Sequence, residues 1–174
     1  MPLTPFHFGP GLFIPLLLFS LIDLPTFLIA SVILDIEPIL VLSLNLQYSL
    51  HGFFHTFLGG SIIAVFLALL MTKARRMFLP LLSFFKLDQR WSNKTIFSAA
   101  FFGIYLHLFL DAQMHRDMQP FFPLTINPLL DTSPLAGLVP EIFCVWCFIG
   151  AMLFYFVRFF VAIRKPKPHH EKSS

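Results

Sequence analysis

Three long apolar stretches constrain what this chain can fold into. They run from about 50 to 71, 95 to 113 and 138 to 163, and crossing the hydrocarbon core of a bilayer takes about 20 mainly apolar residues. Composition agrees, since 57% of the 174 residues are hydrophobic and 12% are charged, against roughly 25% charged in a typical soluble domain. The sequence therefore predicts an integral membrane protein built from helices, which satisfy their own backbone hydrogen bonds in lipid.

The region before these stretches is less regular. Its apolar runs, 11–22 and 24–46, are interrupted by a set of acidic residues and prolines: Asp23, Pro25, Asp35, Glu37 and Pro38. Such a segment forms either a short helix followed by a span or a re-entrant hairpin, whose irregular backbone must be covered by protein or water. We expect an all-α, multi-pass bundle of about four to five membrane segments in one domain, 1–163, followed by a basic, disordered tail, 164–174.

The cations predict the orientation of the bundle. One set falls between the first two long stretches and another follows the last: Lys73, Arg75, Arg76, Lys86, Arg90, Lys94, Arg164, Lys165 and Lys167. Because Lys and Arg concentrate in cytoplasmic loops, both sets, and with them the C-terminus, are expected on the cytoplasmic side of an inner or plasma membrane. The net charge of +3 is explained by this topology, so no nucleic-acid partner is expected.

Two pairs of polar side chains stand out against this apolar background. His51 and His55 lie four residues apart at the start of one long stretch, and His107 and Asp111 lie four apart at the end of the next. On an α-helix each pair would share one face, and the predicted topology puts both pairs near the outer ends of their helices. Ionisable groups inside spans are costly and tend to mark functional interiors.

More residues of the same chemistry lie nearby in sequence: His7, Asp35, Glu37 and His115. Imidazoles and carboxylates together suit Zn, Mn or Fe, and the number of donors allows one or two divalent ions. The alternative for the two pairs is a polar network between helices. His7 could instead bond at the membrane interface, Asp35 could cap locally and Glu37 could be structural. His115 is expected to face solvent or to contact substrate or metal.

Ordered motifs give this chain a resemblance to a known family. They are His7, Ile33-Leu-Asp-Ile-Glu37, His51-Gly-Phe-Phe-His-Thr56, Gly103-Ile-Tyr-Leu-His-Leu-Phe-Leu-Asp111 and Gln119-Pro-Phe-Phe-Pro123. Over residues 4–130 the pattern resembles the membrane-bound, metal-dependent hydrolases also described as LexA-binding inner-membrane proteins, which are distantly similar to zinc-dependent phospholipase C and related nucleases. The resemblance implies that the metal ligands are His7, Asp35, His51 or His55, His107 and Asp111, and by analogy suggests phosphoester hydrolysis.

The function expected from these observations is metal-dependent hydrolysis of an ester or phosphoester. Asp35 or Glu37 would serve as ligand or general base, and the substrate would be a small molecule or a lipid phosphoester met at the membrane. Two other classes remain open: a transporter or proton relay, which also places His and Asp inside spans, and a non-catalytic membrane protein with a structural metal.

Overall fold

In the computed structural model, which describes residues 4–164, all regular structure is helical. The α-helices, in chain order, are α1 (Phe8–Leu17), α2 (Leu24–Ala30), α3 (Ile36–Ser43), α4 (Phe57–Ala74), α5 (Leu79–Phe84), α6 (Asn93–Ala112) and α7 (Leu138–Arg164). Short 3-10 turns lie between or before them, at Thr4–His7, Ile33–Asp35, Phe53–His55 and Arg75–Phe78.

Four helical stretches within residues 4–164 are long and apolar enough to cross a membrane: Leu24–Ser43, Phe57–Phe84, Asn93–Ala112 and Leu138–Arg164. The predicted all-α, multi-pass bundle is confirmed. Helix α1 has 10 residues and is about 15 Å long at 1.5 Å per residue, too short to cross the bilayer core by itself, whereas Leu24–Ser43 is long and apolar enough to do so. The predicted disordered tail lies, apart from Arg164, outside the described residues.

Helix α4 begins later than the sequence predicts. The backbone at Gly52 (ψ −144°) and Thr56 (φ −113°, ψ 156°) is not helical, and the Thr56 hydroxyl accepts a hydrogen bond from Gly59 N–H at 2.9 Å, as an N-cap does. The expectation that His51 and His55 share an α-helical face is therefore wrong. His51 lies in a loop and His55 ends a 3-10 turn.

Small residues let the central helices approach closely. Helix α6 packs against α4 and α2, and Ala64, Ala68 and Ala100 are fully buried in the core between them. At the crossing of α2 and α6, a Cβ added to Gly103 would lie 2.6 Å from the Cβ of Ala30. Such contacts between small side chains are typical of helix packing in membranes, and here they bring α2 within reach of the last turns of α6.

A buried ion pair ties the start of α2 to the end of α4. Arg75, expected among the solvated loop cations, is 0% exposed, and its Nε donates to Asp23 Oδ1 at 2.5 Å. Its guanidinium also lies 4.7 Å from the centre of the Trp91 ring. Asp23 caps α2 by accepting from the amide and hydroxyl of Thr26. Helical structure continues past Ala74. Because of this, Arg75 lies inside the bundle and pairs with Asp23.

The segment before α6 is fastened to the same place. The Gln89 side chain accepts from Leu24 N–H at 3.0 Å and donates to the carbonyls of Ile22, at 2.6 Å, and Phe19. These bonds satisfy backbone groups of the α1–α2 connection and of the first residue of α2, which have no helical partner. The other predicted loop cations, Lys73, Arg76, Lys86, Arg90 and Lys94, are exposed.

Candidate metal centre

The six side chains predicted as metal ligands come from separate segments and converge. His7 ends the N-terminal 3-10 turn, Asp35 lies in the turn between α2 and α3, and the remaining four come from the loop before α4 and the last turns of α6. None is more than 9% exposed: His7, Asp35, His51, His55, His107 and Asp111. Burial of this many titratable groups is unusual unless they are paired or bind a metal.

Four of them form what we call the inner group, His7, Asp35, His107 and Asp111, whose donor atoms all lie within 4.8 Å of one another. The predicted i,i+4 pair on α6 is confirmed, with His107 Nε2 3.2 Å from Asp111 Oδ2. His7 stacks on His107 with ring centroids 4.2 Å apart, which brings its Nε2 to 3.1 Å from Asp111 Oδ1. Asp35 Oδ1 is 4.0 Å from His107 Nε2.

The outer group consists of His51, His55 and Asp111, again with donor atoms within 4.8 Å of one another. Although no α-helix carries the two histidines, their rings still lie edge to face, 4.9 Å apart. Asp111 belongs to both groups, so its carboxylate lies between them. The residues could therefore hold either one ion or two ions that share this carboxylate.

Three of the imidazoles are oriented by oxygen acceptors at Nδ1. These contacts are His107 Nδ1 to the Ser31 carbonyl at 2.9 Å, His55 Nδ1 to Glu37 Oε2 at 2.7 Å, and His51 Nδ1 to both Asp117 oxygens at 3.0 Å. An Nδ1–H that donates to an oxygen leaves the Nε2 lone pair free for a ligand. Metal-binding histidines are almost always held in this way.

Several donor atoms of the two groups are buried without a hydrogen bond within residues 4–164. They are both ring nitrogens of His7, Nε2 of His55 and His107, Asp35 Oδ2 and Asp111 Oδ1. His7 Nε2 and Asp111 Oδ1 are 3.1 Å apart, but the angles between them do not allow a hydrogen bond. Leaving a buried polar atom unpaired costs about 1–3 kcal/mol. These converging donors could hold a shared cation. The alternative is a network of His–Asp ion pairs, at 3.1 Å from His7 and 3.2 Å from His107 to Asp111.

Two further residues of the sequence prediction lie beside these groups. Glu37 is in neither: its carboxylate accepts from His55 and, at 3.4 Å, from Phe54 N–H. His115 stacks on His51 with ring centroids 4.0 Å apart and forms a third set of neighbouring donors with His51 and Asp117. Burial lowers the pKa of His55, against the opposing effect of Glu37, and burial together with the nearby His51 lowers the pKa of His115.

Sequence reasoning missed the importance of Asp117. Besides holding the His51 ring, it accepts from His51 N–H at 3.1 Å, across 66 positions of sequence. Partial burial acts to raise the pKa of Asp117, but the charge of His51 and the hydrogen bonds to it outweigh burial, and the pKa lies below its usual value. Asp117 is in the loop after α6 and has no spacing relationship to the histidines that would reveal the contact.

A cavity of about 350 Å³ opens next to the outer group. His51, Tyr48, Asp117 and Gln119 are among its lining residues, so it is polar where it meets His51. No residue of the inner group is found among the residues lining it. Of the outer group, His51 is the residue that borders this cavity. In the inner group, Asp35 keeps the largest exposed fraction, 9%.

No protein-family model matches this chain, no curated protein resembles it significantly in sequence, and no solved structure resembles it significantly in fold. The geometry of the site defines a helical membrane protein with buried His and Asp groups that could hold a metal ion.

Proposed function

We propose that this chain is a membrane-embedded, metal-dependent hydrolase that cleaves an ester or a phosphoester. The observation that carries the proposal is the difference between the two donor groups that share Asp111. Structural zinc sites use four protein ligands, whereas catalytic sites use three and leave a position for water or substrate. The inner group supplies four buried donors, and the outer group supplies three, of which His51 borders a cavity.

The contacts of each residue indicate its role in binding the metal. His51, His55 and Asp111 would hold an ion at the cavity, and Asp111 would bridge to a second ion, as carboxylates do in two-metal sites with ions about 3.5–4 Å apart. A bound divalent ion would supply an acidic water and would polarise the bond to be cleaved.

The two carboxylates predicted to act in catalysis have different surroundings. Glu37 is hydrogen-bonded to His55 Nδ1, so we assign it to positioning that ring. Asp35 keeps Oδ2 without a hydrogen-bond partner among the described residues. We therefore assign Asp35 as a ligand through one oxygen and as proton acceptor through the other.

Donor chemistry and the resemblance to membrane-bound hydrolases point to the same cofactor. The set contains imidazoles and carboxylates without a thiolate, which suits Zn and also Mn or Fe. We propose zinc, with one or two ions per chain. The exposed cations of the loop before α6 support a cytoplasmic location for that loop and for the C-terminus, in an inner or plasma membrane.

A second candidate is a non-catalytic membrane protein with a structural metal. The specific observation in its favour is the inner group itself, because four buried donors would complete a structural site without help from the outer group. In that case the ion would fasten the N-terminal turn and the α2–α3 turn to α6.

One experiment separates the candidates: elemental analysis of the detergent-purified, zinc-loaded protein, together with hydrolysis of a chromogenic phosphodiester. We expect Asp111→Asn to abolish both, and His51→Ala to abolish hydrolysis while metal remains at the inner group. Asp131→Asn is the matched control, since this carboxylate is in none of the donor groups.

The outcomes have distinct meanings. Metal that survives in His51→Ala, with no hydrolysis even by the wild type, would support the structural role. A wild-type protein that binds no more zinc than Asp111→Asn would refute the metal centre and leave the polar network as the better account.

A further inference from the structure

An apolar groove of about 370 Å³ runs along the bundle beside the metal centre. One side is formed by residues 33–41 and the other by the first half of α4, with Leu40, Val41, Ile63 and Phe66 among the lining side chains. Glu37 is the one charged residue among those described as lining it. The groove is thus hydrocarbon-like along its length and polar at one point.

That polar point touches the metal centre. Glu37 Oε2 lies 2.7 Å from His55 Nδ1 in the outer group. Tyr48 lines both this groove and the polar cavity at His51, and its hydroxyl accepts from Phe53 N–H at 2.9 Å. The groove and the polar cavity therefore adjoin at Tyr48, with the outer group next to both.

The groove also lies along candidate membrane spans. Both of its sides belong mainly to stretches long and apolar enough to cross a membrane, Leu24–Ser43 and Phe57–Phe84. At 1.5 Å per residue, Ile63 and Phe66 are about 9 Å and 13 Å from the start of α4. The groove therefore extends from the level of the metal centre along stretches apolar enough to cross a membrane, and Leu40 and Phe66 on its rim are exposed.

We propose that this groove holds an acyl chain of a membrane phosphoester lipid whose head group occupies the polar cavity at His51. The assignment rests on the proposed hydrolase function and names its substrate class. A peptide segment fits poorly, because its backbone N–H and C=O groups would find almost no partners in so apolar a groove. A soluble phosphoester would use the polar cavity and leave the groove without a role.

The bundle contains a second apolar groove that serves as a control. It measures about 340 Å³, and Leu12, Leu82 and Met152 are among its lining residues. None of its lining residues belongs to the donor groups. A lipid chain bound there would belong to the lipid that surrounds the bundle and would have no part in the proposed reaction.

The test fills each groove in turn. Ile63→Trp narrows the groove at the metal centre, Leu40→Trp does so from its exposed rim, and Leu12→Trp fills the control groove. Each variant is incubated with mixed micelles of dipalmitoyl phosphatidylglycerol and phosphatidylethanolamine, and the lipid retained per chain is measured by native mass spectrometry. Hydrolysis is compared between these lipids and their dibutyryl counterparts, which carry the same head groups. Unchanged zinc content shows that a variant has kept the fold of the site.

We expect Ile63→Trp or Leu40→Trp to lose retained lipid and to lower kcat/KM for the dipalmitoyl lipids by about tenfold, with little effect on the dibutyryl lipids. Leu12→Trp should behave as wild type. Equal retention in all variants, or an equal loss on both chain lengths, would overturn the groove assignment while leaving the hydrolase intact. A zinc-loaded wild type that cleaves neither the lipids nor a chromogenic phosphodiester would overturn the proposed function and the substrate assignment with it.

Discussion

Replacing Asp23 with alanine should strongly destabilise the protein. Asp23 is 0% exposed, as is its partner Arg75. The substitution removes the acceptor for Arg75 Nε at 2.5 Å and the cap acceptor for Thr26 N–H at 3.2 Å. It leaves a buried guanidinium without a counter-charge.

The magnitude follows from these two losses. Breaking a buried ion pair by removing one partner costs about 3–5 kcal/mol, and losing an N-cap costs about 1 kcal/mol. The free energy of unfolding should therefore fall by about 4–6 kcal/mol. For a chain of this size each kcal/mol shifts Tm by about 2–4 °C, so we expect a decrease of roughly 10–20 °C in detergent. Intrinsic tryptophan fluorescence during heating measures it.

A double variant tests the cause. Nη1 and Nη2 of Arg75 have no hydrogen-bond partner among the described residues, so the cation contributes little once Asp23 is gone. Asp23→Ala with Arg75→Met should recover at least about 2 kcal/mol relative to Asp23→Ala, because the uncompensated buried charge is removed. Asp88→Ala, an exposed carboxylate before α6, should change Tm by no more than about 2 °C. A single variant within that same range, or a double variant no more stable than the single, would refute the reasoning.

Three further predictions concern the site and the topology. Asp117→Asn should weaken zinc binding by about 10–100-fold, measured by competition with a chelator, because the carboxylate orients the His51 ring; unchanged affinity would contradict that role. Burial lowers the pKa of His55 and His115 from 6.5, so between the lowered values and pH 6.5 the unfolded chain binds more protons than the folded chain. The Tm of the metal-free protein should therefore fall as the pH drops from 6.5 through that window, and the fall should be smaller in a His55→Gln, His115→Gln variant. In an Asp88→Cys variant, the new thiol at this exposed position should react with a membrane-impermeant reagent only after the cells are permeabilised. Labelling in intact cells would show that the loop is outside and that the predicted orientation is wrong.

The relative placement of site residues that lie on the same helix could be predicted from the sequence. The i,i+4 spacing of His107 and Asp111 fixes their relative position wherever the segment is helical, and α6 begins and ends within two residues of the predicted range, 95–113. The same reasoning failed at His51 and His55, because the local backbone there is set by Gly52 and by the capping hydroxyl of Thr56. The spacing of two residues predicts that their side chains are neighbours only where the segment between them is known to be α-helical.

Contacts between distant segments could not be predicted. The cation pattern treats Arg75 as one solvated charge among several, and nothing in the sequence says that it would find Asp23 52 positions away. The oxygen acceptors behind the imidazoles are equally hidden, since one of them is the backbone carbonyl of Ser31. A carbonyl has no residue type to recognise, and only the packing of α2 on α6 reveals it.

The close crossing at Gly103 has a consequence for the chemistry of the centre. Gly103 lies one helical turn before His107, and Ala30, which it contacts, directly precedes Ser31, the acceptor of the His107 ring. The separation of two helices thus decides which nitrogen of this imidazole carries the proton and which is left as an electron pair. A single added methyl group at position 103 would press the helices apart and lengthen that hydrogen bond. The tight packing at Gly103 and the orientation of the His107 ring therefore depend on the same helix crossing, although Gly103 belongs to none of the donor groups.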